Sequence, residues 1–328
     1  MDSKVTIAIP TYNRAAYLRI ALDSALAQTY SNLEIVVSNN ACTDDTAGVL
    51  ASIGDPRLRI LVQPTNVGMM GNWNACLNAA SGKYFLLLSD DDILEPTAIA
   101  EMVDALEESA RLGGEVGFVW CAATTIDGDG KELPIEEAPA LSGIAKDMIM
   151  TYFEGKRDLR LYPCATLFRK EDLAPGYDLR FPLAADTAQW IRAIIKYGTA
   201  RYVNRKLVRY RMHQNTTLKT RPDVWCKEYA ALAEFVISEL QTNGYNGWDF
   251  SHDIRETEHR RNVRMTIGMI KLSLRDKKLQ ALSEYRDNYR KFTSLFGLVA
   301  LIKGALIIMM PRDLESWLRR WMKSLSRS

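Results

Sequence analysis

The chain has 328 residues, 47% hydrophobic and 25% charged, enough to bury one large core with an extension. Its 42 basic and 40 acidic side chains leave a formal charge of +2, which excludes the global basic footprint of a nucleic-acid-binding protein. Five cysteines at irregular positions (Cys42, Cys76, Cys121, Cys164, Cys226) exclude a disulfide framework and a metal-ligand spacing, which fits a reducing compartment.

Met1-Asp2-Ser3-Lys4 runs directly into an apolar strand, Val5 to Ile9, and leaves no room for a signal peptide. The strand ends in Pro10-Thr11-Tyr12-Asn13-Arg14, after which Tyr17, Leu18, Ala21, Leu22 and Ala25 fall at helical spacing. A second strand, Leu33 to Val37, stops at Ser38-Asn39-Asn40, and Thr43-Asp44-Asp45-Thr46 caps another helix. A third, Leu58 to Val62, precedes Asn66-Val67-Gly68 and a helical Asn72-Trp73-Asn74-Ala75-Cys76-Leu77.

A fourth apolar run, Tyr84-Phe85-Leu86-Leu87-Leu88, stops in Ser89-Asp90-Asp91-Asp92. Carboxylates gathered at a sheet edge repel one another unless a cation joins them, so the cluster suggests a magnesium or manganese site completed by substrate phosphates. The plainer reading is a loop leading to a helix opened by Glu95-Pro96. Strands alternating with helices predict a parallel sheet covered on both faces, with ligands beyond the carboxyl ends of the strands. Every polar cluster above lies at such an end.

Further along, Val116 to Cys121 reads as a strand, and Asp127-Gly128-Asp129-Gly130 as hairpin chemistry rather than a calcium loop, whose closing Glu is absent. A helix runs from Asp186 to Tyr197, and Tyr210-Arg211-Met212-His213 follows the apolar Leu207-Val208. His252 and His259 sit in a charged helical stretch and are expected to face solvent.

Residues 289 to 328 hold eight Lys or Arg against two acids. Within them, residues 295 to 310 are apolar apart from Lys303 and two glycines. Sixteen helical residues span about 24 Å, short of a hydrocarbon core of about 30 Å. Beyond Pro311, Leu314, Trp317, Leu318, Trp321, Met322 and Leu325 keep helical spacing among Arg319, Arg320 and Lys323, the pattern of an interfacial helix. The same stripe would also suit packing on the catalytic domain or a second subunit. An anionic membrane surface is the expected partner of this end, with a peripheral, cytoplasmic location on the inner membrane.

Together the Ile-Pro-Thr-Tyr-Asn-Arg opening, the Asn-Ala-Cys-Thr-Asp turn, Asn-x-Gly and Ser-Asp-Asp-Asp-Ile-Leu-Glu-Pro resemble, in order and spacing, the inverting nucleotide-sugar glycosyltransferases of family 2. The resemblance covers roughly residues 3 to 215. It implies a type-A glycosyltransferase fold, an α/β fold with a mostly parallel nucleotide-binding sheet flanked by helices, here with a helical, basic C-terminal extension. The expected division is 1–120 for the nucleotide-sugar-binding half, 121–220 for the acceptor-binding half of the same domain and 221–328 for the extension, with 295–328 as its membrane or interface segment.

The resemblance also implies roles. Pro10, Thr11, Tyr12, Asn13 and Arg14 would hold the nucleotide, Asp90 would lie near its ribose, and Asn66 and Asn74 would border it. Asp91 matches the metal ligand of the acidic motif, whose first position is Ser89 here. Asn39 stands where the family usually has a base-binding Asp, and its carbonyl can still accept from an imide N–H. Trp73 replaces a phosphate-facing Arg. Asp186 matches the general base, although its neighbour is Ala185 where the family has Glu. Arg211 and His213 would meet the diphosphate or complete the metal site.

The implied reaction is metal-dependent (Mn or Mg) transfer, with inversion, from a nucleotide-diphosphate sugar to a hydroxyl of a saccharide or lipid-linked saccharide, as in cell-surface polysaccharide synthesis. Two other classes share some features. A nucleotidyltransferase would use similar acids, but no Gly-rich phosphate loop follows the first strand. A catalytically silent nucleotide-sugar-binding or scaffold protein would tolerate Asn39 and Ala185.

Overall fold

The computed structural model describes residues 3–134, 143–154, 159, 161–212, 222–244 and 252–258, with backbone only at 222–227. Its centre is an eight-stranded mixed sheet. In chain order the strands are β1 Val5–Thr11, β2 Leu33–Asn39, β3 Leu58–Val62, β4 Tyr84–Leu87, β5 Ile93–Leu94, β6 Phe118–Ile126, β7 Thr166–Arg169 and β8 Arg201–Arg211. Across the sheet the order is β3-β2-β1-β4-β7-β6-β8-β5.

The first four in that order are parallel to one another, as expected of the nucleotide half. β7 then pairs antiparallel with both β4 and β6, β6 and β8 run parallel, and β5 closes the edge antiparallel to β8. The sheet is therefore continuous through the expected division at residue 120, which falls inside β6. β1, β2 and β4 are buried along their whole length, which explains why they read as unbroken apolar runs rather than alternating ones.

Side chains alternate between two cores. Ile7, Ile9, Ile35, Val37, Leu86 and Leu88 face α1 (Ala15–Leu26) and α4 (Ala98–Arg111), which bury Leu18, Leu22, Ile99, Met102 and Leu106. Ala8, Phe85, Leu87, Phe118 and Trp120 belong to the other core, with α3 (Gly68–Ala79), α5 (Ala145–Glu154), α6 (Ala185–Tyr197) and α7 (Pro222–Thr242). Each fully buried Ile, Leu or Phe contributes about 1.5–3 kcal/mol, so both faces are firmly held. The short α2 (Thr46–Ala51) is joined to α1 by Asp44, whose carboxylate accepts from Thr46 N–H at 3.1 Å and Ala15 N–H at 2.9 Å.

Three boundaries differ from the sequence reading. β6 extends to Ile126 because its second half pairs with β8, and the Asp127–Gly130 turn then folds back through an Ile126–Glu132 bridge. α4 begins at Ala98 rather than at Pro96, because Glu95 N–H still donates to Leu207 O at 2.9 Å as the end of the β5–β8 ladder. β2 continues through Ser38 and Asn39, pairing with β1 and β3. Among the described residues, Cys42, Cys76, Cys121 and Cys164 are free thiols.

Candidate active site

The carboxyl ends of β1 and β4 open on a cleft of about 480 Å³. Pro10, Thr11, Tyr12, Arg14, Asn66, Asp90, Asp91, Asp186 and Arg211 all line it. Nine of the sequence-derived site residues therefore converge on one space, although they come from both halves of the sheet.

The acids are held by specific partners. Thr11 Oγ1 donates to Asp90 Oδ2 at 2.8 Å, while Arg14 Nη1 lies 3.1 Å from Asp90 Oδ1 and 2.8 Å from Asp91 Oδ2. Burial pushes the Asp90 carboxyl up to about 6; Arg14 opposes the shift and Asp91 adds to it. Asp92 turns the other way, accepting from Arg211 N–H at 2.8 Å, and burial together with Asp91 raises it to about 7.

Arg211 is 3% exposed. Its Nε donates to Asp91 O at 2.8 Å and its Nη1 to the carbonyls of Asp127 and Gly128 at 3.0 Å each. The guanidinium also lies 4.9 Å from the Tyr17 ring centroid. These bonds tie the acidic loop to the β6 hairpin, so Arg211 shapes the cleft wall as well as lining it.

Three expected nucleotide contacts lie outside the cleft lining. Asn13 has a left-handed φ of 53° and its Oδ1 accepts from Thr43 N–H at 2.7 Å, so it builds the turn. Asn39 is buried and its carbonyl takes the Cys42 N–H at 2.8 Å, which engages the acceptor considered for a base. Asn74 brackets the Tyr177 backbone, donating to its O at 2.9 Å and accepting from its N–H at 2.7 Å. Gly176 allows this, with a φ of 115° and space that a Cβ would lose by meeting Asn74 Oδ1 at 2.7 Å. His213 lies outside the described residues, as do His259 and residues 295–328.

The structure adds residues that the motifs did not assign. Asn40 Nδ2 donates to Asn66 Oδ1 at 3.0 Å and its Oδ1 accepts from Val67 N–H at 2.9 Å, fixing the entry to α3. Trp73 lines the cleft and packs edge-on against Tyr177 at 5.1 Å, so it is both a packing residue and part of the wall. Tyr162 and Tyr210 stack at 3.8 Å between centroids and both line the cleft. Residue 162 lies in a connection without a motif; only its pairing across the fold reveals it.

Asp186 lines the same cleft from the first turn of α6, with Pro182, Leu183 and Ala185. Its Oδ1 accepts from Thr187 N–H at 2.8 Å. Withdrawal from water raises its carboxyl to about 6, against the hydrogen bonds that favour its charge. A carboxylate with that value is ionised at neutral pH and basic enough to take a proton from a hydroxyl as that hydroxyl reacts.

Among the described residues, no group of three His, Cys, Asp or Glu side chains forms a metal cage. Asp91 on an open cleft fits the other kind of site, in which one carboxylate and substrate phosphate oxygens share a hard cation. Among the described residues no helix is long and apolar enough to cross a membrane.

A family model described as glycosyl transferase family 2 matches residues 6–169. An uncharacterized glycosyltransferase of Rickettsia typhi is 29% identical over 249 residues, covering 72% of each chain. One of Rickettsia prowazekii is 35% identical over 159 residues, of which the chain spans 45% of the relative's length. Chondroitin synthase of Pasteurella multocida is 41% identical over 97 residues, 29% of this chain and 10% of that one. Among solved structures, S. aureus TarS 1–349 in complex with UDP-GlcNAc aligns with a TM-score of 0.57 at 16% identity, over 82% of this chain and 81% of that one. That likeness is one of fold: a mixed α/β sheet flanked by helices, with the type-A glycosyltransferase arrangement. With the acids at the strand ends, a further carboxylate on α6 lining the same cleft and a family match over half its length, the chain belongs to glycosyl transferase family 2 and is a glycosyltransferase.

Proposed function

We propose that the protein transfers a sugar, with inversion, from a nucleotide-diphosphate donor to a hydroxyl of a saccharide or lipid-linked saccharide. The observation that carries this reading is that Asp91 and Asp186 line one cleft, one from beyond the carboxyl end of the parallel strands and one from the first turn of α6. The nucleotide lies against Pro10, Thr11, Tyr12 and Asn66, with its ribose toward Asp90. The complex of the structurally similar S. aureus TarS with UDP-GlcNAc supports a nucleotide-sugar donor for this chain.

Asp91, with His213, is the proposed holder of a divalent cation, Mn or Mg. Such a cation, when bound, supplies positive charge to the leaving diphosphate. Arg14, already beside Asp91, adds a second positive charge at the same end of the cleft. Asp186 Oδ takes the proton of the acceptor hydroxyl as its oxygen attacks the anomeric carbon. The bond from that carbon to the diphosphate oxygen breaks, and its electron pair leaves with the nucleotide diphosphate. One displacement from the opposite face inverts the configuration.

The basic, amphipathic segment 295–328 is proposed to hold the enzyme on an anionic cytoplasmic membrane surface, where a lipid-linked acceptor would be presented. Proton NMR of the first product formed from an α-linked nucleotide sugar tests the chemistry: a β product is expected, and an α product would overturn the single displacement. Asp186→Asn is expected to lower turnover by about 10²–10⁴-fold.

A further inference from the structure

α6 carries Asp186 but has no capping side chain at its N-cap position. Its N-cap residue is Ala184, and no capping bond comes from that side chain. The preceding amides point instead at α7. Glu228 Oε1 accepts from Leu183 N–H at 2.6 Å and from Ala184 N–H at 2.7 Å. Glu228 is 6% exposed, a degree of burial that a carboxylate rarely shows without a dedicated partner.

We infer that Glu228 is a positioning residue for Asp186: a carboxylate from the helix beyond the catalytic sheet that holds the first turn of α6 and sets the reacting side chain against the cleft. The inference rests on Asp186 being the general base. A negative charge at a helix N-terminus is favourable, and two charge-assisted bonds to consecutive amides fix the approach of the chain into α6. Leu183 and Ala185 line the cleft on either side of the capped residue, so the wall that presents Asp186 is the part Glu228 holds.

The second effect is electrostatic. The charge on Glu228 adds to burial in raising Asp186. Of the other charged or titratable groups, the Tyr177 phenol interacts with Asp186, and Tyr12, Arg14, Asp90, Asp91, Tyr162, Tyr210 and Arg211 line the same cleft. α5 and β6 meet α6 through Tyr152 and Phe118, which contact Trp190. At the far end of α6, Lys196 pairs with Asp172 and Arg192 with Glu239. Glu228 is thus the carboxylate that reaches the first turn from α7.

The test follows the Asp186 carboxyl by carbon-13 NMR in protein labelled at aspartate, with Asp186→Asn identifying the signal. Glu228→Gln keeps an acceptor oxygen and removes the charge. Its Asp186 midpoint is expected to fall by roughly half a pH unit, the size of one like charge at partial solvent screening. Glu228→Ala removes the cap as well. Where it folds, it is expected to lower kcat for UDP-GlcNAc hydrolysis at least tenfold, with KM within about twofold and Glu228→Gln recovering most of the loss. An unchanged Asp186 midpoint in folded Glu228→Gln overturns the inference. If the midpoint moves while Asp186→Asn turns over like the wild type, Glu228 still sets Asp186, but the base assignment fails and the positioning role for catalysis fails with it.

Discussion

Arg14 Nη1 stands 2.8 Å from Asp91 Oδ2 and 3.1 Å from Asp90 Oδ1, so one guanidinium serves the two acids that end β4. A cation approaching Asp91 must compete with it. Arg14→Gln is therefore expected to bind manganese alone more tightly, by about fivefold for a partly screened charge, while binding the nucleotide diphosphate more weakly. Calorimetry with the metal and then with UDP separates the two effects. Unchanged manganese affinity would mean that Arg14 does not compete at Asp91.

Burial in the cleft wall pushes the Asp186 carboxyl up to about 6. A base works ionised, so turnover is expected to rise with pH through about 6 and then level. The stability effect has the opposite sign. The native state holds the proton up to about 6, whereas the unfolded chain releases it near 3.8, so this group lowers stability as pH rises across that window. Asp186→Asn should melt at pH 7 no lower than the wild type, which a thermal scan checks.

Glu34 behaves in the reverse way. Burial would raise it, but bonds from Thr6, Ser81 and Lys4 outweigh this and hold it at about 2. These bonds join β1, β2 and the turn before β4: Thr6 Oγ1 donates at 2.6 Å and Ser81 Oγ at 2.7 Å. Its contribution is full above 4.5 and lost as pH falls toward 2. Glu34→Gln is expected to lower stability by about 1–2 kcal/mol at pH 7, with the difference closing under acid; urea melts at pH 7 and pH 3 measure it.

Arg211 ties the carbonyls of Asp91, Asp127 and Gly128 together from a buried site. Lysine cannot span three carbonyls with a planar fork. Arg211→Lys is expected to lower stability by about 1–3 kcal/mol and to weaken donor binding through the displaced Asp91 loop. A lowered melting temperature with an unchanged donor Kd would confine Arg211 to stability.

The parallel half of the sheet was legible in the sequence because buried parallel strands leave unbroken apolar runs and their polar ends follow directly. Thr11, Arg14, Asp90 and Asp91 could thus be assigned to one crevice from the sequence alone. Residues whose roles depend on partners distant in sequence were harder to read. Asn13, Asn39 and Asn74 carry amides suited to a ligand, yet backbone groups at Thr43, Cys42 and Tyr177 occupy them. Glu228 is one carboxylate in an ordinary helical stretch; only the packing of α7 on α6 gives it the Leu183 and Ala184 amides.

Thermal stabilisation by UDP-GlcNAc and a panel of other nucleotide sugars, with and without manganese, in wild type and Asp91→Ala, tests the central claim most directly. One donor should raise the melting temperature in the presence of manganese, and the shift should vanish in folded Asp91→Ala. A shift that survives the loss of Asp91 and the removal of metal would contradict a metal-assisted donor site at the end of β4.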